Sequence, residues 1–416
     1  MSLTKPIHTS KDVHVANIDW YEQIKRNIPK SSYQLDLTTS TKNDAELAHQ
    51  IFLNRVKKAY LNNPNHHQIP PLFDFSSNTN LSMKGIAIIA TYLREKKNLT
   101  NLFVCETRES LQLTLANFSR STTDVRASFI FPTCKYNPPY AQETETEHIV
   151  TIGFEKTGAK IKVVFFESLG MTASEIKPDI IQDDAKKLER TKIDFDNAAL
   201  WYIFHSKLNM ANTSVYFTTT CRQSRSTGCE TFATRDAVDF LLCPNFFTLI
   251  ETKPFLSKGK NRKQELSFVQ ITTLPPGFMK SAQSMKAIRA YQQNYTCLSK
   301  HPFHYRQTEI QTLAHSLANH KITLKPYPKE ENPSEKTNFN DQKEINNQPP
   351  LINDYTFRRS RKYKLMLVET CKMLSPGHIN EIISKSLIPA PVKVDQEITT
   401  LNDLQQEQAK KIKSRL

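Results

Sequence analysis

Cys229 closes the run Gln223-Ser-Arg-Ser-Thr-Gly228-Cys229 and opens the stretch Glu230-Thr-Phe-Ala-Thr-Arg-Asp-Ala-Val-Asp-Phe-Leu-Leu242. Phe232, Ala233, Ala237, Phe240 and Leu241 recur at helical spacing, which predicts a thiol at or just before a helix N-terminus. Unpaired backbone N–H groups and the positive end of the dipole lower a thiol's pKa there, and the thiolate is the nucleophile. A glycine before it lets another group approach closely. The competing reading is an inert buried cysteine, the usual state of this residue type.

A hairpin upstream supplies partners. His148-Ile-Val-Thr-Ile-Gly-Phe-Glu155 and Lys160-Ile-Lys-Val-Val-Phe-Phe-Glu167 are two β-rich runs around Thr157-Gly158, which reads as a tight turn with Gly158 at positive φ. A turn closed there sets Lys156 opposite Ala159. It then pairs Val150 with Phe165, Ile152 with Val163 and Phe154 with Ile161 along one apolar face, and Glu155 with Lys160. At the far end of that face His148 falls opposite Glu167. A slip of one residue would turn the two to opposite faces. The alternative is an edge histidine and a solvated glutamate at strand ends. Taken with the thiol, the constellation is a cysteine nucleophile, a histidine base that makes the thiolate, and a glutamate that fixes the imidazole. The order His, Glu, Cys differs from papain-like enzymes, where cysteine comes first.

These residues resemble the YopJ family of bacterial effector acetyltransferases. The matching pieces are His148, Glu167, Gln223-x-x-Ser226-x-x-Cys229, and Thr273-Leu-Pro-Pro-Gly-Phe-Met-Lys280-Ser-Ala-Gln-Ser284, spanning roughly residues 80–310. The resemblance implies that His148 is the general base, Glu167 its orienter, Cys229 the acetyl-carrying nucleophile and Gln223 an oxyanion donor. It implies acetyl-CoA as donor, and serine, threonine or lysine of host signalling or immune proteins as acceptors. It implies inositol hexakisphosphate as allosteric activator and Lys280 as a regulatory lysine. The chain departs from the family pattern in two places. Glu230 stands where many members have glycine, and the Glu167-to-Cys229 stretch is longer, with a polar run from Ala173 to Asp184. A carboxylate beside the thiol suits the helix dipole but opposes thiolate formation. The same triad with water as acceptor gives a cysteine protease of the ubiquitin-like-protein type. A third reading is a non-enzymatic host-binding protein with a decayed site, which the intact triad and Gln223 disfavour.

Length and composition suit a protein of several parts: 416 residues, 38% of them hydrophobic. Only 8 residues are glycine, and Gly158, Gly228 and Gly277 all lie inside the motifs above, which supports special backbone geometry there. Seven cysteines without paired spacing argue against a disulfide framework, and no Cys/His spacing suits zinc. The net charge of +15 is uneven. Residues 253–310 carry ten Lys and Arg against two Glu, a net +8. Such a segment is a solvated basic surface or a polyanion site, for which Lys280 and Arg289 are the first candidates. No nucleic-acid-binding signature accompanies the charge.

The expected fold is α+β. A papain/ubiquitin-like-protease-type catalytic core has its nucleophile helix packed on a mixed or antiparallel sheet, with a helical regulatory lobe from N- and C-terminal segments. Residues 1–16 read as a disordered export segment with no cleaved signal, suited to injection into a host cell. Residues 17–80 read as a helical regulatory part, with a helix Asn43–Tyr60 striped by Leu47, Ile51, Phe52, Val56 and Ala59. Residues 81–250 form the core, with a helix Leu81–Lys96 and strands Val125–Pro132 and Tyr216–Thr220. A further helix is expected around Phe195–Leu208. Residues 251–324 end the core and add basic helices, Ser281–Tyr295 and Thr308–His320. Residues 325–352 read as a disordered linker. Residues 353–416 form a C-terminal helical segment, opened by the basic run Tyr355–Lys364 and closed by a charged helix Leu401–Leu416. No apolar stretch is long enough to span a bilayer.

Overall fold

The computed structural model describes residues 19–33, 42–75, 80–133, 148–168, 212–218, 220–223, 228–254, 267–279, 281–283 and 355–391. The helices expected at Phe195–Leu208, Thr308–His320 and Leu401–Leu416, the export segment, and the linker at 325–352 lie outside these residues. So do Ser226, Lys280 and Arg289. Of the helix expected at Ser281–Tyr295, only Ser281–Gln283 are described, and they form a turn closed by Ala282 N donating to Met279 O at 3.0 Å.

In chain order the helices are α1 (Asp19–Asn27), α2 (Lys42–Leu61), α3 (Met83–Lys97), α4 (Arg108–Ser119), α5 (Cys229–Leu242), α6 (Phe246–Leu249), α7 (Pro276–Met279), α8 (Tyr355–Met373) and α9 (Pro376–Ser384). The strands are β1 (Leu102–Cys105), β2 (Val125–Thr133), β3 (His148–Thr157), β4 (Lys160–Phe166), β5 (Thr213–Thr218), β6 (Glu251–Pro254), β7 (Ser267–Thr273) and β8 (Leu387–Ile388). They form one mixed sheet in the order β6-β7-β5-β4-β3-β2-β1-β8. The β2–β3–β4 centre is antiparallel, and β1, β5, β7 and β8 join it through parallel pairings.

The β3–β4 hairpin differs from the expected register by two residues. Thr157, not Lys156, closes the ladder opposite Lys160, so the turn is Gly158-Ala159. Gly158 takes φ +58 at the first central position, where a two-residue hairpin loop of the II′ kind needs glycine. Ile152 therefore faces Phe165, Phe154 faces Val163, and Glu155 faces Lys162 instead of Lys160. A shift of two preserves side-chain parity, so the expected apolar residues still share a face. That face, with Val150, Ile152, Phe154, Ile161, Val163 and Phe165, packs on Leu111 and Leu115 of α4. The other face is covered as well: Val164 and Phe166 pack on Phe240 of α5. Strands buried on both sides read as continuous apolar runs.

The approach of α5 to β3 is close. A Cβ at Gly153 would lie 2.7 Å from Val164 Cγ1 and 2.9 Å from the Phe240 ring. Thr151 Oγ1 donates to Ala233 O at 2.7 Å across the same contact. Helices from both ends of the chain share one apolar cluster with α5, including Ile24, Phe52, Val56, Ile86, Ala233, Met366, Leu367 and Ile379. The buried stripe of α2 is Phe52, Leu53, Val56 and Tyr60; Leu47 and Ile51, expected within it, are exposed. The β5 strand begins and ends earlier than the expected Tyr216–Thr220. Among the described residues no helix is long and apolar enough to cross a membrane. Gly153→Val should lower stability by about 1–3 kcal/mol through overpacking, read as a shifted urea midpoint; an unchanged midpoint would mean that α5 can retreat from the strand.

Candidate active site

Three expected residues meet where α5 begins. Cys229 is its first residue, and Gly228 caps it at φ +105, a left-handed conformation that favours glycine. His148 is the first residue of β3, and Glu167 follows the last residue of β4. His148 Nε2 lies 2.8 and 3.0 Å from the two Glu167 oxygens. By the observed register Glu167 sits across from Val150, so the pair forms diagonally; such neighbours lie within reach of long side chains. The Cys229 side chain lies close enough to His148 to be among the groups that raise its pKa.

Burial of His148 disfavours its charged form. The Glu167 charge, the hydrogen bonds to Cys229 and Glu167, and the Cys229 charge outweigh that and hold its pKa well above the usual histidine value. Glu167 and Cys229 are both buried. A base, a thiol and an orienting acid joined in this way can take up a thiol proton and stabilise the imidazolium that results.

Gln223 is buried on the segment after β5. Ser168 Oγ donates to its Oε1 at 2.6 Å, so the donor end of the amide faces away from Ser168. The backbone N–H groups of Arg222 and Gln223 both donate to Ser168 O at 2.8 Å, which ties this segment to the residue after Glu167. Arg222 then anchors it to α5: its two terminal nitrogens donate to the two Asp236 oxygens, each at 2.6 Å. Both side chains are fully buried, and losing one partner of such a pair costs about 3–5 kcal/mol. Gln283 N donates to Arg222 O at 2.8 Å. Gln283 also gathers with His49, Gly228, Thr356, Phe357 and Ser360 around one small depression.

Ser168, Arg222, Asp236 and Gln283 were not singled out from sequence. Ser168 and Arg222 adjoin motif residues, and Gln283 lies within the Thr273–Ser284 motif, but nothing local marks Arg222 and Asp236 as a buried pair. Glu230 is buried against α8, with Lys364 Nζ 2.8 Å from its Oε1. Among the described residues no group of three or more His, Cys, Asp or Glu is placed to hold a metal. Among the described residues Cys105, Cys221, Cys229, Cys243 and Cys371 form no disulfide.

A profile of the family described as YopJ Serine/Threonine acetyltransferase matches residues 53–346. No curated protein matches this sequence. Among solved structures, one described as AvrA delL154 with IP6 and CoA is 14% identical; the match covers 77% of this chain and 98% of that one, at a TM-score of 0.39. HopZ1a in complex with IP6 and CoA is 13% identical, with 77% and 97% covered, at a TM-score of 0.39.

The raised His148 pKa gives a signed pH dependence. Stabilisation from the Glu167-bound imidazolium is fully present below the unfolded histidine value, about 6.5, and is lost as pH rises through the higher folded value. The stability gap between the native protein and Glu167→Gln should therefore shrink on going from about pH 5.5 to about pH 9 in urea titrations. A gap that widens with pH would contradict the arrangement.

Proposed function

The chain belongs to the YopJ serine/threonine acetyltransferase family, and from that premise we propose that it moves acetyl from acetyl-CoA to protein hydroxyls through a thioester on Cys229. The observation that supports this most directly is the Glu167–His148 hydrogen bond set beside Cys229 at the start of α5. His148 takes the thiol proton, and the thiolate attacks the thioester carbonyl. The resulting oxyanion collapses, CoA leaves with the proton returned by His148, and acetyl-Cys229 remains. A serine or threonine hydroxyl then gives its proton to His148 and attacks the acetyl carbonyl. A second oxyanion collapses to the acetylated substrate and the Cys229 thiolate, which regains the proton. The donor end of the Gln223 amide and the Cys229 backbone N–H are the groups proposed for both oxyanions. Glu167 holds the imidazole and favours its protonated form.

Inositol hexakisphosphate is proposed as activator on the family resemblance and on a cation cluster in this fold. Lys362 of α8 is half-buried and pushed down to about 8 by burial and by the charges of Arg359, Lys96 and Lys25. Lys25 also pairs with Glu22 at 3.0 Å. Crowded ammonium and guanidinium groups on α1, α3 and α8 suit a dense polyphosphate, which would relieve their mutual repulsion. This seat differs from the one expected at Lys280 and Arg289, which lie outside the described residues. The protein's place of action in this reading is the cytoplasm of a host cell, after export.

Intact mass spectrometry with acetyl-CoA, with and without inositol hexakisphosphate, tests the proposal. Added acetyl mass should require Cys229 and rise with the polyanion; Cys229→Ala should abolish it. Glu167→Gln should slow transfer by up to about 10⁴-fold through the misheld imidazole, and Gln223→Ala by about 10²–10³-fold. No acetylation under any condition would overturn the reading in favour of the protease chemistry that the same triad supports.

A further inference from the structure

One polar line of α8 lies on the nucleophile's turn. Thr356, Ser360 and Lys364 recur every four residues, so they share a helix face, and all three are buried. Thr356 Oγ1 donates to Ser281 O at 2.6 Å. Ser360 Oγ donates to Glu230 Oε1 at 2.9 Å. Lys364 Nζ donates to that same oxygen at 2.8 Å and to Ser360 Oγ at 2.8 Å. Among the described residues Glu230 Oε2 has no hydrogen-bond partner.

Glu230 directly follows Cys229 and is 2% exposed. A buried carboxylate in that position disfavours a thiolate by like charge, more strongly where water is excluded. Lys364 brings the opposite charge to the same oxygen. Removing both ions from water costs about as much as their attraction returns, so the pair is a weak reason for the fold to hold together. Its effect on the neighbouring sulfur has no such offset.

We propose that Lys364 is a positioning residue for Cys229: acting through Glu230 and Ser360, it cancels the carboxylate beside the nucleophile and fixes the first turn of α5, so that thiol reactivity depends on α8 being seated. The inference rests on Cys229 as the reactive thiol but not on acetyl-CoA as the donor. Among the described residues, the titratable and charged groups on the elements packed here include His148 from β3, Glu167 after β4, Glu230 on α5 itself, Lys364 from α8 and His49 of α2 beside Gly228, with Asp236 further along α5 paired to Arg222.

The test is the pH dependence of Cys229 alkylation by iodoacetamide in the full chain, read on the Cys229 peptide by mass spectrometry. Lys364→Met leaves the carboxylate uncompensated and should move the midpoint up by about half a pH unit or more. Glu230→Gln leaves Lys364 uncompensated and should move it down by a similar amount, about half a unit. The double variant should return to the native midpoint. Opposite shifts with rescue cannot come from loosened packing, which would move both variants the same way. Shifts of one sign, or midpoints that all superimpose, would overturn the proposal. Glu230→Gln keeps a hydrogen-bond acceptor at Oε1 and conserves shape. A native midpoint in Glu230→Gln therefore refutes the proposal by itself, even if Lys364→Met fails to fold. The acetylation assay is independent, so loss of the acetyltransferase reading and loss of this one are separately visible.

Discussion

The site depends on one helix being laid tightly along one strand. Gly153 lacks the Cβ that would hold α5 away from β3, and Thr151 ties the Ala233 carbonyl across the contact. Helix and strand then start together, which brings Cys229 to His148. Arg126 of β2 holds the other end of α5, donating to Phe240 O at 2.7 Å and Cys243 O at 2.6 Å while its guanidinium sits over the Phe240 ring. A cation at a helix C-terminus and an acid in its first turn both agree with the helix dipole. With its ends fixed, α5 cannot slide, and a displacement of about 1 Å is enough to cost large factors in rate.

Around this helix the buried charges come in pairs that cross between segments. Arg222–Asp236 joins the Gln223 segment to α5, His148–Glu167 joins β3 to the end of β4, and Glu230–Lys364 joins α5 to α8. Each pair is poor value as plain stabilisation, because desolvation offsets attraction. Each also demands one geometry, since a buried ion that loses its partner is costly. Apolar packing alone would tolerate small rotations of α8 or of the Gln223 segment. The ion pairs do not.

Much of this was legible in the chain because it is local. Gly228 before Cys229 marked a special backbone, and the left-handed cap is there. The His148–Glu167 approach survived a two-residue error in register because parity, not the exact partner, decides the face. What was not legible is non-local. Nothing near Arg222 says that Asp236 is its partner. Nothing in the run Tyr355–Lys364 says that its cations divide among neighbours: Lys364 turns to Glu230, Arg361 donates to Ala48 O at 2.8 Å, and Lys362 lies near Lys25 and Lys96. As a sequence it is simply basic. The α2 stripe held at Phe52, Val56 and Ala59 and missed at Leu47 and Ile51 for a related reason, since those two fit helical spacing but the packed face is set by where α8 lies.

That division of one basic run changes what its charge means. On a helix, residues three and four apart share a face while immediate neighbours diverge, so five cations in seven positions cannot serve one ligand. Lys364 turns inward to a carboxylate one residue from the thiol, and the Lys362 pKa is pushed down by burial and then by cations on α8, α3 and α1. A polyanion attracted to the second group bears on the same rigid helix that carries the first. Charge at the outer face of α8 and charge beside Cys229 are thus joined through the two turns that contain Thr356, Ser360 and Lys364, and the physical link is a buried hydrogen-bonded seam and not the net charge of the segment.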